Sequence, residues 1–257
     1  MVRKTWFLIL AILAIPVFLH AQAVEDKNAF LTRLMEKQNV FKEASGKLEI
    51  NMNMMGSNMK IPVKFWTKDE KMRMDMEISM PGMAAPMEQV MLIDGKQMIQ
   101  YQKMLNTVMT ADLTKMPADV RKMVSENQTS IFGGRESIAA MKTMIDEIDI
   151  EEKSIDGRKF YVITVKDINK LGKISPAGLN TGNFFKKLLF RIDHATFLPA
   201  KIELYGDSET PGMWIDFLEF KTEKVSEEVF NPKFPEDAKQ MDITEMVKNM
   251  FGGMKQP

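Results

Sequence analysis

Glu70-Lys71-Met72-Arg73-Met74-Asp75-Met76-Glu77-Ile78-Ser79-Met80 alternates apolar with charged or polar residues along its whole length. Successive side chains of a strand point to opposite faces of its sheet. Met72, Met74, Met76, Ile78 and Met80 therefore share one face, and Lys71, Arg73, Asp75, Glu77 and Ser79 share the other. A period of two predicts a strand and speaks against a helix, whose apolar residues recur at three and four. At about 3.4 Å per residue the stretch would reach roughly 37 Å. One of its faces is wet and the other is made almost wholly of thioethers.

The preceding sequence repeats the pattern. Lys47–Met55 places Leu48, Ile50, Met52 and Met54 on one side, and Met59–Trp66 groups Met59, Ile61, Val63 and Phe65. Gly56-Ser57-Asn58 and Thr67-Lys68-Asp69 are short polar links, so these segments read as an antiparallel meander. Pro62 is best placed at an edge or a bulge, because it has no N–H to give a ladder. Further strands are predicted at Gln89–Ile93 and Gln97–Gln102, joined by Asp94-Gly95, a hairpin signal, and at Leu105–Met109. Ile148–Ser154, Lys159–Val165 (after Asp156-Gly157), Phe184–Asp193, Ala200–Tyr205 and Met213–Lys221 continue the sheet.

Helical periodicity marks the remainder. Asp26–Phe41 carries Phe30, Leu31, Leu34, Met35 and Phe41 close to one side. Pro117–Asn127 carries Val120, Met123 and Val124, and Glu136–Glu147 carries Ile138, Met141 and Ile145. A terminal helix over 242–251 has an apolar stripe of Ile243, Met246, Val247, Met250 and Phe251, with Asp242 and Glu245 at capping-box spacing. Lys170–Asn183 reads as a loop.

The first 23 residues stand apart. Arg3 and Lys4 precede the apolar run Trp6–Leu19, and Ala21-Gln22-Ala23 supplies small residues for cleavage after Ala23. The run is shorter than the roughly 20 residues a membrane-spanning helix needs. An exported chain of residues 24–257 is expected, forming a single domain without stable membrane insertion. It has no cysteine, and the 35 basic and 35 acidic residues of the full chain balance. No concentrated basic stretch occurs, which speaks against nucleic acid.

The chemistry this composition allows is narrow. His194 is the one histidine after the leader, so thiol nucleophiles and multi-histidine zinc sites are excluded. No phosphate loop, nucleophile elbow or dinucleotide fingerprint occurs. No catalytic residue, metal site or cofactor is expected, and the chain is not read as an enzyme. The acidic run Asp146, Glu147, Asp149, Glu151 and Glu152 reads as a solvated edge, with weak calcium binding the alternative. The 25 methionines allow three accounts. They fill the core, since Met is flexible and polarizable; they line a cavity for a long apolar ligand; or the M-x-M pairs bind copper(I) as soft ligands.

Several stretches resemble the LolA/LolB-like family of periplasmic lipoprotein and lipid carriers. Leu189–Asp193 followed by Thr196–Ile202 is similar to the family's strand–turn–strand, with Asp before the turn and Pro199 after it. Phe217–Phe220 and Val229-Phe230-Asn231-Pro232-Lys233-Phe234-Pro235 resemble its closing strand and terminal segment, and Leu92–Tyr101 resembles its central hairpin. The 170–183 loop and the 242–251 helix stand outside the resemblance. It implies a mainly-β (α+β) fold: a large curved antiparallel sheet forming an unclosed half-barrel, with an N-terminal helix and inserted lid helices. It also implies a periplasmic carrier of lipid or lipoprotein acyl chains, with an envelope sensor or protein-interaction module as the alternative. The expected wall is Leu48, Ile50, Met52, Met54, Met59, Ile61, Val63, Phe65, Met72, Met74, Met76 and Ile78. The expected lid is Val120, Met123, Val124, Ile138, Met141 and Ile145. The expected partners are the acyl chains and an envelope protein.

Overall fold

The alternating segments pair with one another into one sheet. The structure, a computed structural model, describes residues 22–23, 26–37, 42–54, 57–79, 82, 85–118, 121, 135–168 and 184–252. Its strands are β1 (Gln22–Ala23), β2 (Glu43–Met54), β3 (Ser57–Lys68), β4 (Lys71–Ile78), β5 (Met87–Ile93), β6 (Gln97–Gln102) and β7 (Thr107–Asp112). Then come β8 (Ile148–Ile155), β9 (Arg158–Val165), β10 (Lys187–Asp193), β11 (Pro199–Tyr205), β12 (Met213–Lys221) and β13 (Lys239–Asp242). Across the sheet the order is β1-β8-β9-β10-β11-β12-β2-β3-β4-β5-β6-β7-β13. The edge strands β1 and β13 do not meet, so the sheet is an unclosed half-barrel. Cleavage after Ala23 would remove β1 and leave β8 as that edge.

Three helices among the described residues serve one face of this sheet: α1 (Lys27–Lys37), α2 (Arg135–Thr143) and α3 (Thr244–Gly252). The Asp26 carboxylate accepts from the Ala29 N–H at 3.0 Å and caps α1. Phe30, Leu31 and Leu34 of α1, Ile138 and Met141 of α2, and Val247 of α3 join one continuous core with the inward residues of the strands. Each fully buried Leu, Ile or Phe contributes about 1.5–3 kcal/mol. The Lys142 ammonium donates to the Thr32 hydroxyl at 2.9 Å across the α1–α2 contact.

The structure corrects several boundaries. The opening stretch makes an eight-residue strand, while β2 and β3 are longer, at twelve residues each. Asp69 ends β3 with a left-handed backbone (φ 51°), and its N–H donates to the Lys42 carbonyl, so Glu70 falls in the turn. Helix α2 closes at Thr143, with Ile145–Glu147 forming a separate 3₁₀ turn, and residues 38–41 of the helix predicted over 26–41 lie outside the described residues. Met246, placed in the apolar stripe of α3, is 54% exposed. The capping box there is half made. The Asp242 carboxylate accepts from the Thr244 N–H at 2.8 Å, whereas Glu245 turns to Lys248. The predicted helix at 117–127 and loop at 170–183 lie largely outside the described residues. Pro62 sits inside β3, at the point where pairing with β4 stops, so no ladder needs its missing donor. The Asp156-Gly157 turn has positive φ at both residues (50° and 77°), as a two-residue hairpin requires.

Strand β13 is the unforeseen element. It lies parallel to β7, and the chain reaches it by crossing the outer face from β12. Val225 and Phe230 of this crossing strap are buried with Leu92, packed also against Trp66 and Ile99. Phe234 packs against Tyr101 with the rings tilted by 38° and their centroids 5.1 Å apart. The wet face of the opening strand fastens the strap. Lys71 and Lys68 bind Glu227 at 2.6 and 3.0 Å, and the Arg73 guanidinium donates to the Val229 carbonyl at 2.9 Å. Arg73 also forks onto Asp75 (2.7 and 2.9 Å) and lies over the Trp66 ring.

Two tests follow from β12, which slips register between Phe217 and Glu219 against β2. A Cβ on Gly46 would lie 2.1 Å from the Glu219 carbonyl oxygen and 2.8 Å from the Phe65 ring. Gly46→Ala should therefore destabilise by about 1–3 kcal/mol, as overpacking does, read from the urea midpoint. Lys221 first, and then Lys47, hold Glu219 below the ordinary 4.5, at about 2. A lowered folded pKa gives stability above the unfolded value that is lost as pH falls through the folded one. Glu219→Gln should flatten the loss of thermal stability between about pH 4.5 and pH 2, leaving the curve near pH 7 parallel to wild type.

Candidate functional site

Register decides which residues of the inner face meet. Met213, Met52 and Met59 are direct partners on β12, β2 and β3, and Ile215, Ile50 and Ile61 form the next row. A third row runs Phe217, Leu48, Val63, Met76, Gln89, Gln102 and Thr107. A fourth runs Phe65, Met74, Met91, Gln100 and Met109, and a fifth runs Thr67, Met72, Ile93, Met98 and Ala111. Ile78 pairs with Met87. No charged side chain stands in these rows. The cations of β3 and β4 (Lys64, Lys71, Arg73) alternate onto the other face.

The inner face has two ends of different character. Toward the β3–β4 turn it is filled: Leu48, Val63, Phe65, Met72, Met74 and Ile93 are buried under the helices in the core. Ile61 is buried as well. Toward the β2–β3 turn, Ile50, Met52, Met59, Met76, Ile78, Met87 and Gln89 are half-buried, Ile50, Met52, Met59, Met76 and Ile78 against the margin of the core, while Met213 and Ile215 of the same rows are buried. Eleven of the twelve residues predicted as a wall share a face, six of them in the core and five half-buried at its margin. The side chain of Met54 lies outside the described residues. Of the lid residues, Ile138 and Met141 are buried in the core and Ile145 is half-buried against it. Val120, Met123 and Val124 lie outside the described residues. The M-x-M sulfurs of Met72 and Met74 are closed off from solvent with 3% and 7% exposure.

Met91, Met98, Met109, Met213, Gln89, Gln100 and Gln102 belong to the same face and escape the sequence reading. In β5 both alternating sets are apolar, Val90 and Leu92 against Met91 and Ile93. Periodicity alone could not say which set turns inward. Outer-face burial under the strap explains Leu92.

Other groups have structural employment. Asp193 accepts from the Ala195 and Thr196 N–H groups (3.1 and 3.0 Å) and from Arg158 at 2.9 Å, and these bonds hold its carboxyl below the usual range against the opposing effect of burial. His194 stacks on Tyr161, 4.6 Å between centroids. In the acidic run, Asp149 pairs with Lys166 at 2.9 Å and with Lys27 at 3.6 Å, which lowers its pKa, Lys166 being the larger cause. Two hollows lie on the outer face, of about 310 and 530 Å³, separated by Leu218. Several of their cations are paired, Lys103 with Glu88, Arg191 with Glu203, and Lys201 with Asp216. Among the described residues no helix is long and apolar enough to cross a membrane.

No family model and no curated protein matches the chain. Solved structures do. An uncharacterized conserved protein from Thermus thermophilus superposes with TM-score 0.52 at 10% identity, covering 84% of this chain and 99% of that one. The Pseudomonas aeruginosa MucA/MucB complex gives TM-score 0.43 at 15% identity, over 81% of this chain and 62% of that one. A LolA superfamily protein from Nitrosomonas europaea gives 0.31 at 12%, over 78% and 96%. At these identities the likeness is one of fold. The architecture is the unclosed half-barrel, with an N-terminal helix and helices packed on its inner face, that the sequence resemblance implied.

The two ends of the inner face should answer differently to charge. Met74→Asp places a carboxylate in the filled end, where an uncompensated buried charge costs about 3–5 kcal/mol. Met59→Asp and Met76→Asp, at the half-buried end, should each cost about 1 kcal/mol or less. Urea denaturation of the three variants measures the contrast.

Proposed function

We propose that the protein is a periplasmic carrier that holds a lipid, or the acyl chains of a lipoprotein, against the open Met-rich end of its inner face. The observation that carries this reading is the two-ended face. Its helix-filled half supplies the stability, and its half-buried half offers thioethers and isoleucines with no charge among them. Thioether side chains adapt to chains of varied shape at small cost. Burying hydrocarbon contributes about 0.8 kcal/mol per methylene, so a 16-carbon chain gains on the order of 12 kcal/mol gross. Ordering and association offset much of that. The remainder suffices for retention and still allows handover, and binding, transfer and release need no catalytic group. The leader and the LolA-like sequence motifs support a place in the envelope.

A second reading, an envelope protein-interaction module, draws on Leu218, which is 64% exposed between the two outer hollows.

Native purification, solvent extraction and mass spectrometry should recover lipid, and a fluorescent fatty-acyl probe should bind. Met59→Asp with Met76→Asp should weaken probe binding at least tenfold in a chain that still folds. No co-purifying lipid together with no probe binding overturns the carrier reading. Capture of an envelope protein that Leu218→Asp abolishes would favour the second.

A further inference from the structure

Three glutamines interrupt the apolar rows at one place. Gln89 on β5 and Gln102 on β6 are direct cross-strand partners, and Gln100, two residues before Gln102, occupies the same face beside Met91. Direct partners stand about 4.5–5.5 Å apart at Cβ, and next neighbours along a strand remain within reach of a long side chain. All three are half-buried. Met76 flanks Gln89 on one side, and Met109 flanks Gln100 on the other.

Among the described residues the one buried side-chain polar atom without a partner is Asn51 Oδ1, so the three amides keep contact with water. No hydrogen bond joins the three amides to another described residue. The other polar residues of these rows are served: the Thr67 hydroxyl donates to the Ala44 carbonyl and the Thr107 hydroxyl to the Leu105 carbonyl. An apolar chain laid over this end would strip that water from the amides, and a polar group that loses water without gaining a partner costs free energy, so leucine or methionine would suit a wholly apolar ligand better. Each amide offers both N–H donors and a carbonyl acceptor, without charge. An anionic head would call for a guanidinium or ammonium, and the cations of β3 and β4 stand on the opposite face.

We infer that Gln89, Gln100 and Gln102 form the polar end of the ligand site and select an acyl chain whose head is an uncharged ester or amide. The inference rests on the carrier reading and adds to it a specificity. The chain lies along Met52, Met59 and Met76, and its ester or amide oxygens and hydroxyls meet the three side-chain amides. An acylglycerol and the acylglyceryl group of a lipoprotein share this chemistry.

The test is displacement of a fluorescent alkyl probe from the mature protein by monooleoylglycerol, by oleate at pH 8 and by octadecene. Wild type should bind monooleoylglycerol at least tenfold more tightly than octadecene or oleate. The Gln89→Met, Gln100→Met, Gln102→Met triple variant should lose that preference and hold octadecene within twofold of wild type. Single Gln89→Met and Gln102→Met variants, each checked for a wild-type unfolding midpoint, should lose part of it and keep the test valid if the triple variant does not fold. Retention of the preference by the variants, or a wild-type preference for oleate, overturns the inference while leaving the carrier reading standing. Failure of wild type to take up any of the probes overturns both. Among supporting results, binding of a dipalmitoylglyceryl-cysteinyl peptide as tightly as monooleoylglycerol points to lipoproteins as the source, and binding of the free glyceride alone points to lipid.

Discussion

The β2–β3 pairing is the constraint on which everything else rests. Two twelve-residue strands run in register from Glu43↔Lys68 to Met54↔Ser57. Because side chains alternate with a period of two, a slip of one residue would exchange faces for the whole hairpin. Lys47, Lys60 and Lys64 would then enter the core, and Leu48, Val63 and Phe65 would face water. Desolvating three ammonium groups costs far more than any ladder bond returns, so the register has no near competitor. The parity set here passes strand by strand to β12 on one side and to β4–β7 on the other.

The two faces then solve different problems. The inner face buries its apolar rows by recruiting α1, α2 and α3. The outer face carries charge, yet Trp66, Leu92 and Ile99 project from it, and the strap between β12 and β13 covers them. Its attachment draws on the outward residues of the opening strand: Lys71 to Glu227, and Arg73 to Val229. Surface ion pairs alone contribute little. Here they hold a segment whose Phe230 is 5% exposed, so burial supplies the stability and the ion pairs fix the path. The same path delivers β13 beside β7, where a parallel pairing is possible because the chain has already crossed the sheet.

Much of this was legible in the sequence because it is local. Alternation located most of the strands, and the helical spacing of Phe30, Leu31 and Leu34 named the buried side of α1. The remainder depends on distant partners. Four exposed residues, Lys239–Asp242, carry no periodicity that marks a strand, and only the neighbouring β7 makes them one. The length of β4 was overestimated because Glu70 continues the alternation although Asp69 has already turned the chain. In the candidate site, Met52, Met59 and Met76 could be assigned a face from sequence, while Met213 and the glutamines required the register of other strands.

That distinction changes what the methionines mean. Core filling and a ligand surface looked like competing explanations of one composition. The sheet places buried and half-buried methionines in different rows of one face, and the carrier proposal gives only the second group to a ligand. Met72 and Met74, beneath the helices, do what leucine could do and gain from the flexibility of Met in a crowded interior. Met52, Met59 and Met76 are half-buried at the margin of that core. An apolar side chain kept half-exposed forgoes part of its burial free energy, and under the carrier proposal the flexible thioether adapts there to a chain of unfixed shape. Alternation gives both groups the same face. Position along the strand, which alternation cannot express, separates the residues that hold the fold from those that the carrier proposal gives to a ligand.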